Sequence, residues 1–254
     1  MRGHQARFGG LAAAAALAVV GYTAEGVIVN GQALEPPEQS WVGRWNGASG
    51  VAIGERSVLT AGHAGGRIGG RFVLAEERYT AVALRRHAEL DLMVITVDRN
   101  LPGYYRIAPS IAGGVAVVLG GAGFVAGEAS ASGVSWSTQR RVEWGTNVVE
   151  SASHDRITLR FDAIPGEGTF ARFDSGAGVF VRDASGGLLL AGIATNAGGR
   201  RGESEFGSIA LAVNVTGRGL LPSVSAIPAP GSMCLMGACF AGFAGMRPKR
   251  RSGC

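Results

Sequence analysis

No stretch of this sequence repeats apolar residues with the 3.6-residue period of an amphipathic helix over more than a few turns. Its apolar residues instead come in short runs, among them Val27-Ile28-Val29, Leu92-Met93-Val94-Ile95-Thr96-Val97, 115–119, 142–149, 157–161 and 208–215. Glycine-rich turns separate these runs, and 42 of the 254 residues are glycine. Runs of that length bounded by turn residues are strands, so the chain is expected to be all-β. Gly50-Val51-Ala52-Ile53-Gly54 and Ser57-Val58-Leu59-Thr60 flank Glu55-Arg56 as a hairpin does, and 178–181 and 188–194 do the same around Asp183-Ala184-Ser185-Gly186-Gly187. Residues 71–84 alternate loosely. A Pro/Gly stretch, Asn100-Leu101-Pro102-Gly103, marks a boundary between two β units.

The net charge of +5 is a property of the ends. Arg2 and Arg7 lie near the start, and Arg247, Lys249, Arg250 and Arg251 lie in the last eight residues. Without these six, the 24 basic residues become 18 against 19 acidic ones, so the body is near neutral and has no charge basis for a nucleic-acid partner. Arg2 and Arg7 precede an apolar segment over 8–21, the size of a signal-peptide core, with small residues at Gly21 and Ala24 near a cleavage point. Residues 1–24 are therefore expected to be a signal peptide read by export machinery, and the domain to occupy 25–223. All three cysteines, Cys234, Cys239 and Cys254, lie in the last 21 residues, so that domain holds no disulfide and no cysteine-based metal site. His4, His63, His87 and His154 show no ligand-like pairing, and no metal or other cofactor is expected.

Ser175 sits in a glycine-flanked turn, Asp174-Ser175-Gly176-Ala177-Gly178. A serine hydroxyl is a poor nucleophile unless a base takes its proton and nearby N–H groups accept the developing charge. His63 ends a strand in Leu59-Thr60-Ala61-Gly62-His63, and Asp91 opens one in Glu89-Leu90-Asp91-Leu92-Met93. His87, in the charged run Arg85-Arg86-His87-Ala88-Glu89, and His154, between Ser153 and Asp155, read as surface residues.

In Thr60-Ala61-Gly62-His63, Asp91-Leu92-Met93-Val94 and Asp174-Ser175-Gly176, taken in that order, the sequence resembles the chymotrypsin-like (trypsin-like) serine proteases over about residues 28–221. The resemblance implies two antiparallel β-barrels, over about 28–105 and 106–221, with the active site in the cleft between them. It implies a triad of Ser175 as nucleophile, His63 as general base and Asp91 as the group orienting the imidazole, acting on a peptide or protein substrate. The backbone N–H groups of Phe173 and Ser175 would form the oxyanion hole. Thr169 would lie at the base of the substrate pocket, Thr195-Asn196-Ala197 would form the substrate-binding strand, and Gly207 would line the opposite wall. Ile28 would become a new amino terminus pairing with Asp174.

Several positions depart from the family pattern. Phe173 and Ala177 stand where glycine is usual, Gly26-Val27 offers no basic residue before Ile28, and Thr169 replaces the acid of the trypsin-like enzymes, which implies a small or medium uncharged specificity residue. A binding module with a spoiled oxyanion hole, and an acyl hydrolase acting on esters, remain open alternatives. The tail from 224 to 254 carries Pro228-Ala229-Pro230-Gly231, apolar residues over 233–246 and then Arg247-Pro248-Lys249-Arg250-Arg251. It resembles the PEP-CTERM sorting signal of Gram-negative bacteria. That resemblance implies exosortase-type machinery as a partner and a destination at the cell surface, outer envelope or extracellular matrix. The 14 apolar residues would span only about 21 Å as a helix, enough for a transient inner-membrane anchor.

Overall fold

The computed structural model describes residues 26–200 and 202–220. The expected signal peptide over 1–24 and the sorting segment over 224–254 lie outside the described residues. Among the described residues there are strands and a single 3₁₀ turn, Gly62–Ala64, but no α-helix. The strands are β1 (Ile28–Val29), β2 (Val42–Trp45), β3 (Ala48–Gly54), β4 (Ser57–Ala61), β5 (Arg71–Leu74), β6 (Glu77–Arg86), β7 (Leu92–Val97), β8 (Ala116–Gly121), β9 (Phe124–Ala129), β10 (Gly133–Arg140), β11 (Glu143–Ala152), β12 (Arg156–Phe161), β13 (Gly168–Thr169), β14 (Gly178–Arg182), β15 (Leu188–Asn196), β16 (Glu203–Glu205) and β17 (Ser208–Asn214).

They form two closed antiparallel barrels of the chymotrypsin-like kind. The first closes in the order β2-β3-β4-β7-β6-β5 and the second in the order β11-β12-β17-β15-β14-β8. Closure leaves neither sheet with a free edge. Trp45, Val58, Phe72, Tyr79 and Ile95 fill the first barrel, and Val117, Leu119, Ile157, Leu159, Phe170 and Val179 fill the second. In a small barrel the inward residues of every strand meet at one axis. Alternation along each strand therefore suffices to build the core without a disulfide.

Two features depart from the sequence reading. The family resemblance places Ile28 in the first barrel, but β1 pairs with β13, Ile28 opposite Thr169, and Val27 and Val29 pack into the core of the second. Residues 122–140, which carry no clear strand signal, form the hairpin β9–β10. It joins β16 in a three-stranded sheet whose Val134 and Trp136 pack with Ile28, Phe161, Ala171 and Phe206.

The loosely alternating stretch 71–84 is itself a hairpin, β5–β6, turning through Ala75-Glu76 with Leu74 opposite Glu77. Both turn residues have positive φ, 47° and 65°, as a two-residue type I′ turn requires. Asn46-Gly47 turns between β2 and β3 with φ of 47° and 78°, using residues suited to that conformation. Alanine and glutamate are not, and each left-handed residue costs about 1–2 kcal/mol. Replacing Ala75-Glu76 by Asn-Gly is expected to raise stability by about 1–2 kcal/mol, read as an upward shift of the urea midpoint.

Candidate active site

Strand β4 delivers His63 to the rim of the first barrel, and two side chains hold the turn it lands on. The indole of buried Trp45 donates to the Gly65 carbonyl at 2.7 Å, and Asn46 Nδ2 donates to the Ala64 carbonyl at 2.7 Å. Asp91 sits just before β7, in a turn closed by His87, whose Nδ1 accepts the N–H groups of Glu89 and Leu90. His87 and His154 are both exposed, the latter beside Asp155 and Arg218. Gly62 lets the histidine and aspartate segments touch, because a Cβ there would lie 2.9 Å from Asp91 Oδ1. Its N–H donates to the Asp91 carbonyl at 3.0 Å.

The two segments meet Ser175, which the second barrel supplies just before β14. Asp91 Oδ1 accepts the backbone N–H of His63 at 2.7 Å, and Oδ2 lies 2.6 Å from His63 Nδ1. His63 Nε2 lies 2.7 Å from Ser175 Oγ. With the neutral ring protonated on Nδ1, that nitrogen donates to the carboxylate and Nε2 is left to accept the serine O–H. The arrangement is a continuous proton path from the serine to a histidine whose tautomer is fixed by a carboxylate.

Phe173 lies in the left-handed region, with φ of 73°. The preceding carbonyl, Arg172 C=O, accepts the N–H of Phe124 at 3.2 Å. A trans peptide is planar, so its N–H points opposite to its C=O, and the Phe173 N–H is turned away from Phe124. No described residue accepts a hydrogen bond from the N–H of Phe173 or of Ser175. Among the described residues, two donors without a partner therefore lie beside the Ser175 hydroxyl. The conformation is one that a phenylalanine adopts at a cost of about 1–3 kcal/mol. The ring recovers a similar amount. Phe124 meets it edge-on at 5.0 Å, and the guanidinium carbons of Arg140 and Arg172 lie 4.3 and 5.0 Å from its centroid. Such contacts contribute about 0.5–1 kcal/mol each.

Three consecutive amides where β8 passes into β9 hold the turn and Ser49 beside it. Ala122 N–H donates to Ser49 Oγ at 2.8 Å, Gly123 N–H to Asp174 Oδ1 at 2.8 Å, and Phe124 N–H to Arg172 C=O. Ala171 N–H donates to Asp174 Oδ2 at 2.9 Å. The carboxyl of Asp174 is fully buried, and burial pushes its pKa up to about 7 against the opposing effect of the two amides and Arg140. The expected pairing of Asp174 with an amino group on Ile28 is not what this structure contains. Ile28 is fully buried in β1 with Val27 before it, and backbone amides occupy both carboxyl oxygens.

The remaining residues singled out for substrate contact lie on β13, at the end of β15 and in the turn before β17. Thr169 is fully buried, and its hydroxyl has no partner among the described residues. Thr195 Oγ1 donates to Leu211 C=O at 3.4 Å, Asn196 is exposed at the end of β15, and Ala197 packs against the barrel core. Gly207 is exposed, with φ of 82°. Among the described residues no group of three His, Cys, Asp or Glu side chains is arranged to hold a metal ion. Sequence reasoning missed Ser49, Trp45 and the 122–124 amides. Only Asn46-Gly47 carried a readable local signal. No protein-family model matches the chain, and no curated protein matches its sequence.

Two outcomes are expected. Asp174 ionises near 4 in an unfolded chain and near 7 here, so its contribution to stability is full below about 4 and is lost as the pH rises through about 7. Urea denaturation from pH 4 to 8 is expected to show the stability difference between the parent and Asp174→Asn shrinking with pH, by at most about 1.4 kcal/mol per unit. Separately, a chain beginning at Ile28 loses the fully buried Val27. It is expected to be less stable by about 1.5–3 kcal/mol than one beginning at Gly26, and no more active.

Proposed function

We propose that this chain is a chymotrypsin-like serine endopeptidase that hydrolyses peptide bonds through an acyl-enzyme intermediate. The observation that carries the reading is the unbroken contact from Asp91 Oδ2 through His63 to Ser175 Oγ, made by side chains of two barrels. In the first half-reaction Ser175 Oγ attacks the scissile carbonyl while His63 Nε2 takes its proton. The carbonyl oxygen gains charge and is met by the N–H groups of Phe173 and Ser175. The imidazolium, steadied by Asp91, then protonates the leaving amine, and the acyl group stays on Ser175. In the second half-reaction a water attacks the ester, His63 again takes the proton, and Ser175 leaves with it. Because Thr169 stands uncharged where the trypsin-like enzymes carry an acid, the proposal extends to a small or medium uncharged side chain on the acyl side of the cut.

The proposal extends to the ends of the chain. Export directed by residues 1–24 and sorting directed by 224–254 would deliver the enzyme to the surface or extracellular matrix of a Gram-negative bacterium.

The test is labelling by a fluorophosphonate together with turnover on peptide and ester panels. The parent is expected to label and to cut peptides internally, and Ser175→Ala to do neither. Asp91→Asn is expected to lower kcat by about 10⁴-fold through loss of the productive tautomer. Labelling that survives in Ser175→Ala would overturn the reading, and hydrolysis confined to esters would make the chain an acyl hydrolase instead.

A further inference from the structure

Ser49 lies on β3 of the first barrel, is wholly buried, and uses every polar group it has. Its carbonyl accepts the hydroxyl of Thr60 at 2.6 Å, a contact within its own barrel. The other three groups reach the serine turn or its support. Ser49 N–H donates to Ser175 C=O at 2.8 Å. Its Oγ accepts the N–H of Ala122 at 2.8 Å and donates to Phe173 C=O at 3.3 Å. With one lone pair committed to Ala122, the hydroxyl hydrogen is directed toward the Phe173 carbonyl.

That carbonyl belongs to the residue whose conformation most needs support. A phenylalanine at φ of 73° relaxes by rotating the peptides on either side of its Cα, and either rotation re-aims the N–H that would meet the oxyanion. The peptide before Phe173 is pinned by Phe124 N–H at Arg172 C=O. The peptide after it is pinned at both ends, by Asp174 N–H to Ala171 C=O at 3.2 Å and by the Ser49 hydroxyl. The hydroxyl is the one side chain among these restraints, and it comes from the opposite barrel.

We infer that Ser49 is a positioning residue for the oxyanion hole: its hydroxyl, held by Ala122, keeps the Phe173 peptide in the left-handed state that leaves the Phe173 N–H free for the transition state. The inference rests on the endopeptidase reading. Losing one oxyanion donor costs about 10²–10³ in turnover, and a misplacement of about an ångström costs about 10². Removing the hydroxyl should therefore cost about ten- to a hundredfold in kcat.

The experiment uses the full chain, p-nitrophenyl acetate as substrate and phenylboronic acid as a probe whose serine adduct places an oxygen in the hole. For Ser49→Ala, kcat is expected to fall about ten- to a hundredfold, normalised to sites titrated with fluorophosphonate. KM should stay within about twofold, and the boronate inhibition constant should rise in step with the loss of kcat. Ser49→Cys, close in volume but a weak donor, should fall between parent and alanine, and it carries the comparison if Ser49→Ala does not fold. A purely structural serine predicts something else: a lower thermal midpoint with kcat per titrated site and boronate affinity unchanged. That result would overturn the inference while leaving the triad intact. A parent chain with no Ser175-dependent turnover would remove the endopeptidase reading and this inference with it.

Discussion

The hold of three successive backbone amides on the serine turn and on Ser49 beside it is the constraint on which the site depends. Ala122, Gly123 and Phe124 each direct an N–H at a different acceptor: the hydroxyl of Ser49, the carboxyl of Asp174 and the carbonyl of Arg172. Consecutive amides that converge on acceptors act as a fixed array of partial positive charge. Here the array holds a turn that contains a buried acid and a left-handed phenylalanine, neither of which is favourable alone. The approach must be close, since a Cβ on Gly123 would lie 2.6 Å from Asp174 Oδ1. The amides are themselves ordered by the strand that continues from them, because β9 begins at Phe124 and is tied into the sheet with β10 and β16.

Work is divided between the barrels accordingly. The first supplies His63 and Asp91 on rigid supports, with His63 on a turn fixed by Trp45 and Asn46 and Asp91 on one closed by His87. The second supplies Ser175 and the N–H groups of Phe173 and Ser175, which no described residue accepts. Neither half makes the His63–Ser175 contact without the other, and Ser49 crosses the gap between them with both its amide and its hydroxyl. A relative shift of the barrels would therefore lengthen the His63–Ser175 contact and loosen the Phe173 peptide together.

Much of the fold was legible because barrel strands announce themselves locally. The runs around β3, β4, β7, β12 and β17 are apolar, short and bounded by turn residues. The hairpin β5–β6 was not resolved because Ala75-Glu76 lacks turn chemistry and adopts positive φ under the pull of the flanking ladder. The hairpin β9–β10 hid because its outer positions are polar and only its inner residues, such as Val134 and Trp136, meet a core. At the site, His63, Asp91 and Ser175 stood out because each sits in a recognisable short context, and the three stand in hydrogen-bond contact. Ser49 gave no such signal. Its importance comes from inter-barrel register, which no local pattern encodes. The position of Ile28 was misjudged for the same reason, since its partner Thr169 is more than half the chain away.

That last pairing bears on when the site can come into being. Strand β1 is among the first parts of the domain to be synthesised, yet its ladder partner and the core that Val27 and Val29 enter are built from residues after 100. The first barrel can close on its own strands while β1 waits unpaired. The second barrel also closes on its own strands, but its core is complete only when Val27 and Val29 of the earliest segment enter it, a contact of high sequence separation and hence slow to form. Because the serine turn belongs to that half, Ser175 can meet His63 only after most of the chain has been made. A partly made copy can hold His63 and Asp91 in contact while Ser175 is still missing.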